Sequence, residues 1–186
     1  MPDAFTLLGM PRVAALDESA LRQAWLEAGR ATHPDLPGGD AARSAEVNAA
    51  FETLQAPEKR LKHLLELYRV PWRSVPIDEA MMALFSRLGA ALQEVASFLK
   101  RKQSTTTALS RALLTSEEMR WRETLEHLIQ EIEAGRAACL AALPELDTRL
   151  QTGDETVLAT LQAIQARLAY YARWQAQVRE SLLALM

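Results

Sequence analysis

The sequence has only one cysteine, Cys139, so an internal disulfide is excluded. Its apolar helical position favours a small buried side chain over a reactive thiol. The formal net charge of -3 argues against nucleic acid as the main partner, because such a partner requires a basic face. No apolar run is long enough to cross a bilayer, and the first residues lack the basic and apolar regions of a signal peptide. We therefore expect a globular cytoplasmic protein without a membrane partner.

Motifs for cofactors and metals are also lacking. The sequence contains no paired-cysteine metal motif and no nucleotide, flavin or other cofactor motif. What it does contain is helical periodicity. Of the 186 residues 49% are hydrophobic, enough for one or two small cores, and they recur at helical spacing. The predicted fold class is therefore all-α.

A compact polar tripeptide, His33-Pro34-Asp35, interrupts this periodicity. Residues 17–32 before it and 41–54 after it each have an apolar helical stripe, made by Leu21, Trp25, Ala28 and Thr32 in the first segment and by Val47, Ala50, Phe51 and Leu54 in the second. Pro34 disfavours helix, and the residues that follow to Asp40 are typical of turns. The pattern predicts two antiparallel helices joined by an exposed loop, with Phe51 against Trp25 across the hairpin.

This arrangement resembles the J domain. Phe5-Thr6-Leu7-Leu8-Gly9-Met10 is similar to the aromatic-x-x-Leu-Gly opening of that domain, and we expect it to pack at the base of the hairpin. Residues 47–54, with Pro57 and Arg60, are similar to its third helix and the start of its fourth. The elements agree in order and spacing, whereas the tripeptide alone would be a weak signal.

Residues 60–67 are more specifically similar to HscB, the J-domain co-chaperone family of iron-sulfur cluster assembly. The second helix agrees, with an aromatic at Trp25, an acid at Glu27 and an arginine at Arg30. Pro57 suits the first position of the fourth helix, whose predicted outward residues are Lys59, Arg60 and Lys62. Among these basic residues, we expect His63 to be solvated or to cap a helix.

The resemblance implies a set of chaperone-binding residues, namely His33, Pro34, Asp35, Arg22 and Arg30. Asp35 would pair with an arginine of a DnaK/HscA-type ATPase, while His33 and Pro34 would fix the loop beside the interdomain linker of that chaperone. The outward face of the second helix is usually basic in J domains. Here acids offset the two arginines, and Leu36 replaces the usual lysine. The arginines could also simply be solvated.

Pro71-Trp72-Arg73-Ser74-Val75-Pro76 is a stiff connection that marks the predicted domain boundary. We predict a J domain at 1–70 that folds alone, a linker at 71–76 and a C-terminal antiparallel helical bundle at 77–186. Most of the helix predicted for 77–102 is additional relative to HscB. The resemblance returns over 115–186, where Thr115 and Glu118 can form a capping box and Pro144 should end or kink a helix.

In the HscB family the C-terminal bundle binds the cluster scaffold protein IscU through an apolar and acidic patch. Met119, Glu123 and Tyr170 fit that pattern and are the predicted client-binding residues. Arg120 and His127 stand where the family tends to have acids, so the match is partial. Met119 and Tyr170 could equally belong to the core of the bundle.

The resemblance implies a co-chaperone that stimulates a DnaK/HscA-type ATPase and delivers the iron-sulfur scaffold protein. The alternative is a J-domain protein that recruits a different client through its helical domain. An enzyme is not expected. His33 and Asp35 could act as acid and base, but an exposed loop without a nucleophile, metal cluster or pocket gives a transition state no stabilisation.

Overall fold

The computed structural model describes residues 3–32, 40–105 and 107–186, and of residues 108–113 it describes the backbone alone. Its regular elements are α1 (Ala4–Leu7), α2 (Glu18–Thr32), α3 (Ala41–Gln55), α4 (Pro57–Leu67), α5 (Glu79–Ser104), α6 (Ala108–Ala141), α7 (Leu143–Gln151) and α8 (Val157–Leu185). The all-α prediction is confirmed. Among the helices described, none has the length and apolar character that spanning a membrane requires.

The described residues pack as two compact units. Unit 1 contains the residues up to Val75 together with 139–169, and unit 2 contains 76–138 and 170–186. Helices α6 and α8 therefore each contribute to both units. The division after Val75 falls within the predicted linker. Residues 139–169, which the sequence predicts to be part of the C-terminal bundle, belong to unit 1.

In unit 1, α2 and α3 pack against each other as a hairpin. Asp17 and Asp40 accept backbone hydrogen bonds in the first turns of the two helices and so cap them. The rings of Trp25 and Phe51 stack with centroids 4.6 Å apart, as predicted, and Trp25 Nε1 donates to Asn48 Oδ1 at 2.9 Å. Such an aromatic pair contributes roughly 0.5–1.5 kcal/mol beyond the burial of its area. These contacts hold the two helices in register.

Helix α1 closes the base of this hairpin by packing against α3. Phe5 and Leu8 are buried, as expected, whereas Leu7 is only partly covered. Asp3 caps α1 by accepting from the Phe5 N–H at 3.0 Å. Burial raises the pKa of Asp3, but hydrogen bonds from Thr6 and Arg12 outweigh this effect and lower it to about 2. The cap is therefore ionised at neutral pH.

The inner face of α4 is more polar than we predicted. His63 is buried instead of solvated, although it does cap a helix, because its Nε2 accepts from the Ala4 N–H at 3.1 Å. Arg60, predicted to face outward, is buried as well, and its Nη1 donates to the Leu54 carbonyl at 2.6 Å. That carbonyl lies in the last turn of α3, where no partner is available within the helix. Both polar side chains thus satisfy backbone groups of neighbouring segments.

The role of His63 can be tested with two substitutions. His63→Phe keeps a ring beside Phe5 but leaves the Ala4 N–H without its acceptor, so we expect a loss of about 1–3 kcal/mol in the free energy of unfolding. His63→Gln is the matched control, since its amide oxygen can occupy the Nε2 position, and it should cost less. Urea unfolding followed by circular dichroism measures both. Equal losses would mean that the hydrogen bond is not the source of the effect.

Unit 2 contains α5, most of α6 and the second half of α8. Four hydrogen bonds show that α6 runs antiparallel to both of its neighbours. Two of them, Arg87–Glu131 and Lys102–Glu118, join α6 to α5. The other two, Gln175–Glu133 and Arg122–Leu185, join α6 to α8. Helices α5 and α8 consequently run in the same direction. In the described part of unit 2 the arrangement is a bundle of three helices.

Helix α6 begins at Ala108, seven residues earlier than the predicted start at Thr115. Thr115 and Glu118 therefore lie inside a helix and do not form the expected capping box. The end of this helix agrees with the prediction, because α6 stops at Ala141 and Pro144 lies in the first turn of α7. Cys139 is buried, also as predicted.

Candidate functional site

The tripeptide His33-Pro34-Asp35 lies outside the described residues, whereas the stems on either side of it are described. Helix α2 ends at Thr32, and the N–H of Asp40 donates to the Thr32 carbonyl at 3.3 Å. Thr32 is buried, and its hydroxyl donates to the Ala28 carbonyl at 2.9 Å. The two ends of the loop are therefore held together by a backbone hydrogen bond.

The outward face of α2 presents both predicted arginines. Arg22 and Arg30 are exposed and are separated by two helical turns, with Leu26, itself 45% exposed, midway between them on the same ridge. Within the described part of the chain, neither arginine forms an ion pair. Glu18 and Glu27 are exposed on this helix too, so the face has mixed charge. As far as the described residues go, the two guanidinium groups can meet an acidic partner without first breaking an ion pair.

The predicted client residues do not form one patch. Met119 is 66% exposed, and Glu123 is exposed one turn further along α6. A Cβ atom on Gly135 would lie 2.5 Å from the hydroxyl of Tyr171, the residue after Tyr170, and Gln175 donates to Glu133, so this part of α8 lies beside the Gly135 region of α6. Met119 precedes Gly135 by sixteen residues, about 24 Å at the helical rise of 1.5 Å per residue. Met119 and Tyr170 are therefore at different places along the bundle.

Tyr170 belongs to an aromatic cluster in unit 2 that the sequence did not reveal. Its ring centroid is 5.7 Å from that of the buried Trp174, and the Phe85 centroid is 6.0 Å from Trp174. Phe85 is 50% exposed, and Met82 on the same helix is 48% exposed. The signal for this cluster in the sequence was the pair Met81 and Met82 with the aromatic Phe85 three positions later. Periodicity alone does not say which of them faces solvent.

Asp147 on α7 is a buried polar residue that the sequence did not reveal. Its carboxylate is buried, and it lies on the same helical face as Leu143 and Leu150, which are buried too. An acid at the i+4 position of an apolar stripe was the signal that could have found it. A buried carboxylate requires hydrogen-bond donors, and leaving them unmade costs about 1–3 kcal/mol or more for a charged group.

Within the ranges that the structure describes, no three His, Cys, Asp or Glu side chains lie together in a way that could hold a metal ion. Acidic side chains of unit 2, such as Glu131, form ion pairs with basic side chains of the same unit. The hydrogen bond from Arg87 lowers the pKa of Glu131 below its usual value.

Comparisons with known proteins agree on one family. The co-chaperone protein HscB homolog of Azoarcus sp. (strain BH72) is 32% identical over 167 residues, covering 86% of this chain and 74% of that protein. The HscB homolog of Bordetella pertussis is 30% identical over 137 residues, covering 69% of this chain and 79% of its own. No family model matches the sequence.

The fold has a counterpart among solved structures. Chaperone HscB from Vibrio cholerae aligns with a TM-score of 0.62 over 99% of each chain, at 19% sequence identity, which is a likeness in fold. The span of this alignment includes α5. The expectation that α5 is an addition to the HscB fold therefore stays a prediction.

Proposed function

The chain belongs to the HscB family of co-chaperones, and on that premise we propose that it stimulates the ATPase of a DnaK/HscA-type chaperone and delivers the iron-sulfur scaffold protein to it. The contacts that hold α2 and α3 together beside the loop support this proposal most directly. The Trp25–Phe51 stack and the hydrogen bond from Asp40 to Thr32 hold together the helix ends that His33-Pro34-Asp35 connects. The proposed role is cytoplasmic and includes no catalysis by the chain itself.

The chaperone contact would combine this loop with the exposed face of α2. Arg22 and Arg30 are available to an acidic surface, and charge complementarity mainly increases the rate of encounter. Because Glu18 and Glu27 offset these arginines, steering should be weak. Contacts made by the loop after encounter should then determine how strongly hydrolysis is stimulated.

The direct experiment is single-turnover ATP hydrolysis by a purified DnaK/HscA-type chaperone, measured with increasing amounts of the full chain. We expect stimulation of hydrolysis and no ATP turnover by the chain alone. Raising the ionic strength should weaken stimulation only modestly, since the α2 face has mixed charge. A chain that leaves the hydrolysis rate unchanged at saturating concentration would contradict the proposed function.

For the client, we infer a binding surface on unit 2 that includes Met119 and Glu123. Met119 is exposed, and Glu123 one turn away can supply a charged rim, whereas the half-buried Tyr170 stacks on Trp174 elsewhere on the unit. Arg120 and His127 are departures from the acidic pattern of the family. A client other than the iron-sulfur scaffold is the second candidate, and these departures favour it.

Two methionines distinguish the possible client surfaces. Met119→Ser should weaken binding of the scaffold protein by about 2 kcal/mol, roughly thirtyfold in affinity, because an exposed apolar anchor is lost. Its melting temperature should change little, since the side chain is exposed. The matched control is Met82→Ser, an exposed methionine near the Phe85–Trp174 contact. Calorimetric titration that shows weakening by Met82→Ser alone would place the client surface beside Tyr170 instead.

A further inference from the structure

The carboxylate of Asp147 on α7 contacts the segment that leads into α2. Asp147 is 7% exposed, and its two oxygens accept hydrogen bonds from consecutive backbone N–H groups, that of Ala14 at 2.6 Å and that of Ala15 at 2.7 Å. All three residues belong to unit 1. An anion from a helix far along the chain therefore fixes an N-terminal loop.

A cation binds the same segment through the carbonyl group of Ala14. Arg60 on α4 is 4% exposed, and its Nε donates to the Ala14 carbonyl at 2.8 Å. Ala14 is fully buried and its backbone is irregular, so a regular helix or sheet cannot satisfy its peptide groups. Its N–H thus binds an anion and its carbonyl binds a cation. Both bonds are charge-assisted, which makes them the stronger kind of hydrogen bond.

The position of this segment matters because Asp17 caps α2 only two residues after Ala15. A shift of the segment would leave a buried charge without its partners, which is strongly unfavourable. We propose that Asp147 is a positioning residue for α2, and hence for the exposed arginines Arg22 and Arg30. This inference rests on the proposed function, because it assigns α7 a part in presenting the chaperone-binding face.

The test compares Asp147→Asn with Glu145→Gln, a matched control that neutralises an exposed acid on the same helix. Each full-length variant is titrated into single-turnover ATP hydrolysis by a purified DnaK/HscA-type chaperone, at a temperature where circular dichroism shows full helicity. For Asp147→Asn we expect the half-saturating concentration to rise about fivefold or more, with a maximal rate near wild type, because the loop tripeptide is intact. The control should match wild type in both quantities.

A purely structural role for Asp147 would lower the melting temperature without changing the half-saturating concentration, and that result would overturn the inference. Amide hydrogen exchange in the wild-type chain is the second measurement. Ala14 and Ala15 should be strongly protected, and fast exchange at both would overturn the inference even if Asp147→Asn does not fold. If the wild-type chain fails to stimulate hydrolysis, the proposed function fails and the inference falls with it.

Discussion

Asp35→Asn is expected to abolish stimulation of the chaperone ATPase while leaving the protein folded. By the family resemblance, the Asp35 carboxylate pairs with an arginine of the ATPase, and asparagine keeps nearly the same shape without the charge. Removal of one member of a desolvated charge pair costs about 2–5 kcal/mol. The binding free energy of a micromolar contact is only about 8 kcal/mol. This loss therefore reduces the affinity by a factor between roughly thirty and several thousand.

The measurement is single-turnover hydrolysis across a range of co-chaperone concentrations, with melting temperatures recorded for each variant. Glu126→Gln, an exposed acid of unit 2, is the matched control for the change in net charge and should stimulate like wild type. Asp35 lies outside the described residues. The prediction rests on the family resemblance and on the contacts that hold α2 and α3 together beside the loop. Stimulation by Asp35→Asn equal to wild type would remove the loop from the proposed mechanism.

Local features of the fold were predictable from the sequence. The hairpin follows from two apolar stripes on either side of a Pro-containing turn, and the contact between Trp25 and Phe51 follows because both belong to those stripes. Pro144 ended a helix where expected, since proline does not continue the preceding turn. In each case the determining residues lie close together in sequence, so helical spacing and backbone preferences were sufficient.

Long-range contacts were not predictable in the same way. The bond between Ala14 and Asp147 joins residues that are 133 positions apart, and helical spacing identifies a buried face without identifying the segment that covers it. The separation of Met119 from Tyr170 has the same origin, because it depends on the register of α6 against α8. Arg60 is predicted to face outward and His63 to be solvated or to cap a helix, and their burial was not predictable because the partners that bury them include backbone groups of distant segments.

Burial of α7 within unit 1 leads to the second large prediction, which concerns a fragment ending at Val75. The sequence suggested that residues 1–70 fold alone. In the structure, unit 1 also contains 139–169, where Leu143, Leu146 and Leu150 are buried. Burial of each such side chain contributes about 1.5–3 kcal/mol. Three of them approach the whole stability of a domain of this size, about 4–11 kcal/mol at 0.05–0.15 kcal/mol per residue.

We therefore expect the fragment 1–75 to be largely unfolded at 25 °C, with little helical circular dichroism and no cooperative melt. The control is a chain that ends at Ala169 and in which a flexible Gly/Ser linker replaces residues 76–138, because it retains all of unit 1. Gln165, which donates to the Glu58 carbonyl at 3.3 Å, and Asp147 are both present in that chain. It should melt cooperatively and show protected amides at Ala14 and Ala15. If the fragment 1–75 melts at the same temperature as this control, residues 139–169 add nothing to the stability of the hairpin, and the original expectation of an autonomous N-terminal domain is the correct one.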